Sequence, residues 1–145
     1  ASSINRFIFA SSAADEKQAE IESTGCDGII AGHCGLPFSE TIGARLWHNS
    51  GALGMPANDG TPRVWFSVLR EHAGGIAIEH HAIDYDHHAA AAKMRARGYP
   101  AEYAQCLADG LWPSCDVLRD EERAARGRRL APAPLIWAAA ARQAA

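Results

Sequence analysis

The chain has 145 residues, 48% of them hydrophobic and 21% charged, with a formal net charge of −3 at pH 7. This composition is typical of one folded domain and excludes a disordered chain. No stretch approaches the roughly 20 apolar residues of a membrane span, and residues 1–6 lack the basic and apolar pattern of a signal peptide, so we expect a cytoplasmic protein that does not contact membranes.

The charge is distributed unevenly along the chain. Acidic residues exceed basic ones by six over residues 1–118, whereas arginines exceed acids by three over residues 119–145. An acidic body argues against a nucleic-acid partner, because binding to the phosphate backbone needs clustered positive charge. We therefore expect a body over residues 1–118 and an Arg/Ala-rich tail over 119–145, whose arginines form a solvated face or touch an anion.

The first part of the chain predicts a strand, a helix and a second strand. Residues 4–10 are rich in β-branched and aromatic side chains and predict a buried strand. Ser12, followed three residues later by Asp15, has a capping-box pattern and predicts a helix that ends near Gly25. The short apolar run at residues 27–31 predicts the second strand. This order indicates a βαβ unit with parallel strands.

The middle of the chain predicts antiparallel strands. Residues 38–42 and 45–48, separated by Gly-Ala, are typical of a hairpin. Residues 49–62 contain many Gly, Pro, Asn and Asp residues and predict a long loop, which in a compact domain is often functional. Residues 64–69 and 76–83 predict a second antiparallel pair.

The remainder predicts helices. Asp86 is a suitable N-cap for a helix that reaches residue 97. Pro100 suits the first turn of another helix, which Gly110 would end. Residues 121–126 predict one or two further turns, and residues 138–141 an alanine-biased segment that is helical or frayed.

The segment Gly-His-Cys-Gly-Leu-Pro at residues 32–37 follows the second predicted strand. Ligands in open α/β sheets collect at the carboxyl ends of strands. His33 is thus a candidate metal ligand, since a neutral imidazole coordinates metals well. A lone histidine after a strand is, however, more often a capping or core residue. Cys34 would point away from His33 and is interpreted as a packing residue. The four cysteines form no CxxC pair and predict free thiols.

Two stretches together carry a family resemblance: Ile-Ile-Ala-Gly-His-Cys-Gly-Leu-Pro-Phe at residues 29–38 and Leu-Trp-His-Asn-Ser-Gly-Ala-Leu-Gly-Met-Pro at 46–56. They resemble the calcineurin-like metallophosphoesterases, especially the small bacterial branch, in which Gly-His-x-His-x-Pro precedes a hairpin and an Asn-Pro-Gly-Ser-x-Gly loop. The resemblance covers residues 4–85 and is sharpest over 28–69. It implies a fold of mixed α and β class, a partial calcineurin-like β-sandwich flanked by helices, with a C-terminal helical extension.

The resemblance also implies an activity. His33 would bind one of two divalent metal ions (Mn, Fe, Zn or Mg), which in this family activate a bridging water for attack on a phosphoester. The substrate would be a small phosphomonoester, a phosphodiester or a dinucleotide polyphosphate. Gly35 occupies the position of the family's second histidine, so the second metal would have fewer ligands. The family's upstream Asp, His and Asn motifs are not found, so we expect an inactive C-terminal half whose catalytic residues are unknown.

Asn49 and Asn58 lie in the long loop beside the predicted metal and are candidate substrate contacts. The alternative is that they satisfy turn backbone, as Asn commonly does. The His and Asp residues between positions 80 and 88 are interpreted as a surface strand-to-helix junction rather than a metal site. Two other functions remain open: a non-catalytic phosphoesterase-like module that binds a ligand or partner, and an unrelated βαβ domain in which His33 is structural.

Overall fold

The structure, a computed structural model, describes residues 6–138 of the chain. Within this range the fold is mixed, with four helices and two three-stranded sheets. The helices are α1 (Ala14–Thr24), α2 (His87–Ala96), α3 (Ala101–Asp109) and α4 (Asp120–Ala124). The strands are β1 (Gly28–Ala31), β2 (Pro37–Ile42), β3 (Arg45–Ser50), β4 (Val64–His72), β5 (Gly75–Ile83) and β6 (Leu135–Ala138). None of these helices is long and apolar enough to cross a membrane.

The first sheet has the order β1-β3-β2, with β3 in the centre. The predicted hairpin is confirmed: β2 and β3 are antiparallel, with Ile42 opposite Arg45. Gly43 has a φ of 60°, which a two-residue hairpin turn with glycine at its first central position requires. β1 runs parallel to β3, so the carboxyl ends of these two strands lie at the same edge of the sheet.

The predicted N-terminal strand and the βαβ unit built on it are wrong for residues 6–10, which form no strand; residues 4 and 5 lie outside the described range. Phe9 is buried as expected, but its backbone N–H donates to the Ser12 hydroxyl (3.0 Å) and its carbonyl accepts from the Ser12 N–H (3.1 Å). These bonds turn the chain into α1. Because Ser12 is used here, it does not cap the helix, whose N-cap is Ala13 without a side-chain bond.

The second sheet has the order β4-β5-β6. The predicted β4–β5 pair is confirmed as a long antiparallel hairpin. β6 was not predicted: residues 135–138 pair with β5, although residue 138 belongs to the segment 138–141 that was expected to be helical or frayed, and residues 139–141 lie outside the described range. Trp137 explains the difference. It is buried with Leu46 and Ile78, and its indole N–H donates to the Ala44 carbonyl (3.1 Å).

The helices lie where the sequence placed them. The carboxylate of Asp86 accepts from the Ala89 N–H (2.9 Å) and caps α2, as predicted. Gly110 ends α3 in the left-handed conformation with a φ of 72°, also as predicted. α1 packs on the first sheet, where the fully buried Lys17 forms an ion pair with Glu40 of β2 and donates to the Ala10 carbonyl (2.7 Å).

A buried histidine and a half-buried histidine lie side by side in the core. His48 of β3 is fully buried, and its ring centroid is 5.0 Å from that of His80 of β5. His48 Nδ1 is hydrogen-bonded to the Ser39 hydroxyl (2.8 Å), and Nε2 has no hydrogen-bond partner among residues 6–138. Burial, with a smaller contribution from His80, lowers the pKa of His48 to about 4. The fold therefore needs His48 neutral.

We expect the free energy of unfolding to fall as the pH is lowered from the ordinary His48 value of 6.5 towards 4. In this window the unfolded chain binds a proton at His48 and the folded chain does not, so acid favours unfolding, by on the order of 3 kcal/mol in total. Urea unfolding at several pH values checks this. His48→Gln should flatten the slope, whereas His72→Gln, at an exposed histidine, should not. Equal slopes in all three proteins would contradict the prediction.

Candidate functional site

Two loops meet at the carboxyl edge of the parallel pair β1 and β3. The β1–β2 loop starts at Gly32 and the β3–β4 loop at Gly51, and a Cβ atom on Gly32 would lie 3.6 Å from the Gly51 carbonyl oxygen. The first loop is a tight turn in which the Gly35 N–H donates to the Gly32 carbonyl (3.0 Å). His33, the second residue of the first loop, thus lies at this edge of the sheet, and the carboxyl ends of parallel strands are where open α/β sheets bind ligands.

His33 is exposed, and its ring stacks on Phe7, with centroids 4.5 Å apart and planes 22° apart. Neither ring nitrogen has a hydrogen-bond partner among residues 6–138. The imidazole is therefore available to an external group. Residues 6–138 contain no group of three or more His, Cys, Asp or Glu side chains placed to hold a metal ion. One imidazole does not make a metal centre, so the residues present do not fit a complete metal site by themselves.

Cys34 is a packing residue, as predicted. Its side chain is buried in a core cluster with Phe9, Cys106 and Trp112. Burial raises the pKa of the thiol to about 11, and a smaller lowering by backbone hydrogen bonding at Leu36 does not reverse this. A thiol in this state is neither a nucleophile nor a ready metal ligand at neutral pH.

Gly35, which the resemblance aligns with a second histidine, has a backbone conformation and surroundings that favour glycine. Its φ is +72°, a conformation that costs about 1–2 kcal/mol for a residue with a side chain. A Cβ atom would also lie 3.3 Å from Cζ2 of Trp112. The indole cannot easily move, because it is buried and its N–H donates to the Pro56 carbonyl (2.6 Å). Trp112 therefore occupies the space that a histidine at position 35 would need.

Asn49 and Asn58 both take part in turns. Asn49 is buried, and its side-chain oxygen accepts from the Gly51 N–H (3.1 Å). Asn58 is buried in the left-handed conformation, with a φ of 58°, and its side-chain oxygen accepts from the Trp112 N–H (2.8 Å). Asn58 also lines a different cavity from His33. The Asn49 side chain thus satisfies turn backbone, the alternative considered for both residues, whereas the Asn58 side chain satisfies a backbone N–H that lies 54 residues further along the chain. Substrate contact by either residue stays a prediction.

The residues between positions 80 and 88 form no metal site in the described chain. Asp86 caps α2, and the rings of His87 and His88 lie 4.1 Å apart at its first turn. His80 is not a surface residue as expected. It is half-buried beside His48, and its Nε2 donates to the Asn49 carbonyl (3.1 Å).

No motif in the sequence predicts the cavity beside His33. It has a volume of about 270 Å³ and is lined in part by Phe7, Met55, Tyr103, Trp112 and Val117. These residues come from the N-terminal segment, the β3–β4 loop, α3 and the segment after it. The one sequence signal available was that Phe7, Tyr103 and Val117 are apolar, and these side chains are exposed in the structure.

A scan against protein-family models, a search of curated proteins and a search of solved structures each find no match to this chain. The functional assignment therefore depends on the residues at the carboxyl edge of β1 and β3 and on their geometry.

We expect Gly35→His to destabilise the protein because of its backbone conformation and its contact with Trp112. The left-handed backbone and the contact with Trp112 together should lower the free energy of unfolding by about 3 kcal/mol. Urea unfolding measures this loss. Gly43→His is the matched control, because Gly43 also has a positive φ but no atom lies within 4 Å of its added Cβ. It should cost only about 1–2 kcal/mol. Equal losses would show that Trp112 does not restrict position 35.

Asn58 should contribute to the free energy of unfolding in two separable ways, through its hydrogen bond to the Trp112 N–H and through its tolerance of the left-handed backbone. Asn58→Gly keeps the left-handed backbone but leaves the buried Trp112 N–H without an acceptor, which costs about 1–3 kcal/mol. Asn58→Ala adds backbone strain of about 1–2 kcal/mol. Denaturation of both variants gives the two contributions. An Asn58→Ala protein as stable as the wild type would contradict this account of the turn.

Proposed function

We propose that this chain is part of a metal-dependent phosphoesterase and that His33 is the metal ligand it contributes. The observation that supports the proposal is the placement of His33. The imidazole of His33 has no hydrogen-bond partner within residues 6–138 and lies two residues after a parallel strand, at the edge where two loops meet. It belongs to the first of the two stretches that resemble calcineurin-like metallophosphoesterases. The two packed sheets and outer helices are compatible with part of such a fold.

The remaining ligands must come from outside residues 6–138, since no group of three potential ligands exists within them. The chain is then catalytically incomplete by itself. Its own contribution is to hold His33 on a turn fixed by the Gly35–Gly32 hydrogen bond and by the packing of Cys34. Gly35 and Trp112 prevent this turn from supplying a second imidazole. We propose phosphomonoesters, phosphodiesters or dinucleotide polyphosphates as substrates, and the cytoplasm as the location.

A non-catalytic binding module is the second candidate function. The specific observation in its favour is that the described residues form a cavity beside His33 but no metal-ligand group. Such a module would bind a ligand in this cavity without transforming it.

The test compares hydrolysis of bis-p-nitrophenyl phosphate, with and without Mn²⁺, by the polypeptide encoded in the complete reading frame. We expect metal-dependent hydrolysis and a loss of more than about 100-fold in His33→Ala, because even substitutions in the outer shell of a metal site cost about 10–100-fold. Residues 1–145 alone should show no hydrolysis.

His72→Ala is the control, because His72 is exposed in the β4–β5 hairpin and does not line the cavity. It should keep the full rate. Hydrolysis that survives His33→Ala would refute the role of His33. Absence of metal-dependent hydrolysis in the wild type would favour the binding module.

A further inference from the structure

The cavity beside His33 collects apolar side chains that are exposed to solvent. Phe7 is 41% exposed, Tyr103 48% and Val117 46%. The three residues are far apart in the sequence, yet all line this one cavity together with Met55. Scattered exposed apolar residues need no explanation, whereas apolar residues that converge on a concave site are typical of a ligand-binding surface.

Among residues 6–138, no Asp, Glu, Lys or Arg side chain lines this cavity. A second cavity, of about 390 Å³, differs in this respect, since Glu121, Glu122 and Arg128 line it. A cavity without a cation has no direct means of binding a phosphate. Its lining is instead complementary to a neutral, apolar part of a ligand.

The shape of the lining favours a flat ligand. The stack of Phe7 on His33 shows that planar groups pack face to face at this position. The indole of Trp112 is fixed by its bond to the Pro56 carbonyl and reaches the cavity next to Gly35, which has no side chain to cover it. Tyr103 provides a further aromatic ring at the rim. Aromatic walls of this kind bind planar rings by stacking and by edge contacts.

The size of the cavity limits the ligand further. Its volume of about 270 Å³ is slightly below the ~300–1,000 Å³ of sites for drug-sized molecules. It therefore suits one ring system and not a whole dinucleotide.

We propose that the cavity beside His33 binds a neutral planar ring, a nucleobase or an aryl group, that is attached to the phosphoester. The assignment of the ring to a substrate rests on the proposed function, whereas ring binding itself does not. Because His33 lies at the cavity wall, a ring held there places its attached phosphoester at the imidazole. The site thus selects ring-bearing esters over alkyl esters and sugar phosphates.

The test uses the ¹⁵N-labelled 145-residue chain, without metal, titrated with adenosine, uridine, phenol and ribose. We expect saturable chemical-shift changes at Tyr103, Val117 and the Trp112 indole N–H with at least one ring compound, and none with ribose. The three ring compounds distinguish a purine, a pyrimidine and an aryl site. Tyr103→Ala should weaken binding of that compound about fivefold through the lost aromatic contact.

Tyr99→Ala is the matched control. Tyr99 is 56% exposed and precedes α3, the helix that contains Tyr103, but it does not line the cavity. Its removal should leave the affinity unchanged. The proposal is overturned if no ring compound binds, if ribose binds equally well, or if the two tyrosine variants behave alike.

These outcomes are independent of hydrolysis. Failure of ring binding in a protein with metal-dependent activity would refute the proposed ring site and support the proposed phosphoesterase activity. Ring binding without any metal-dependent hydrolysis by the complete protein would support the ring site and refute the phosphoesterase activity.

Discussion

The turn at Asn58 and Asp59 is the constraint on which the rest of the structure depends. Asn58 accepts the Trp112 N–H with its side chain and the Gly127 N–H (2.9 Å) with its backbone carbonyl. The buried carboxylate of Asp59 accepts from Arg63 and from the Leu130 N–H (both 3.1 Å). A single turn in the β3–β4 loop thus fixes two segments more than 50 residues further along the chain. Because the polar groups involved are buried, losing any partner would leave a costly unsatisfied group.

This constraint reaches the candidate site through Trp112. Once Asn58 holds its backbone and Pro56 its indole, Trp112 packs against the β1–β2 turn beside Gly35. The same contact has two consequences. It disfavours a side chain at position 35, and it places the indole in the lining of the cavity beside His33. The absence of a side chain at position 35 and the presence of an aromatic cavity are therefore two results of one packing arrangement.

Local signals in the sequence predicted most of the elements, and long-range partners account for the errors. The Gly43 turn, the Asp86 cap and the Gly110 helix end each depend on a few adjacent residues, and each is confirmed. β6 depends on pairing with β5, some 60 residues away, and its alanine-rich surroundings favoured a helix instead.

The segment before α1 has the composition of a strand, but the Ser12 hydroxyl accepts the Phe9 N–H and holds the backbone in a turn instead. The cavity was not predictable either, because Phe7, Tyr103 and Val117 share no motif and meet only in the folded chain.

The charges of the molecule indicate which part of a phosphoester the cavity beside His33 would bind. The chain carries a net charge of −3, and the cavity beside His33 has no cationic side chain. Neither favours the binding of a phosphate, so under the two proposals the apolar cavity would hold the neutral part of a ligand and a cation outside the described residues would hold the phosphate. Arg123 and Arg126 donate to the carbonyls of Leu118 and Trp112, and no arginine is among the described residues that line the cavity. His33 is exposed, lines the cavity and has no hydrogen-bond partner within residues 6–138, so the proposed metal ligand and the proposed ring site share this residue.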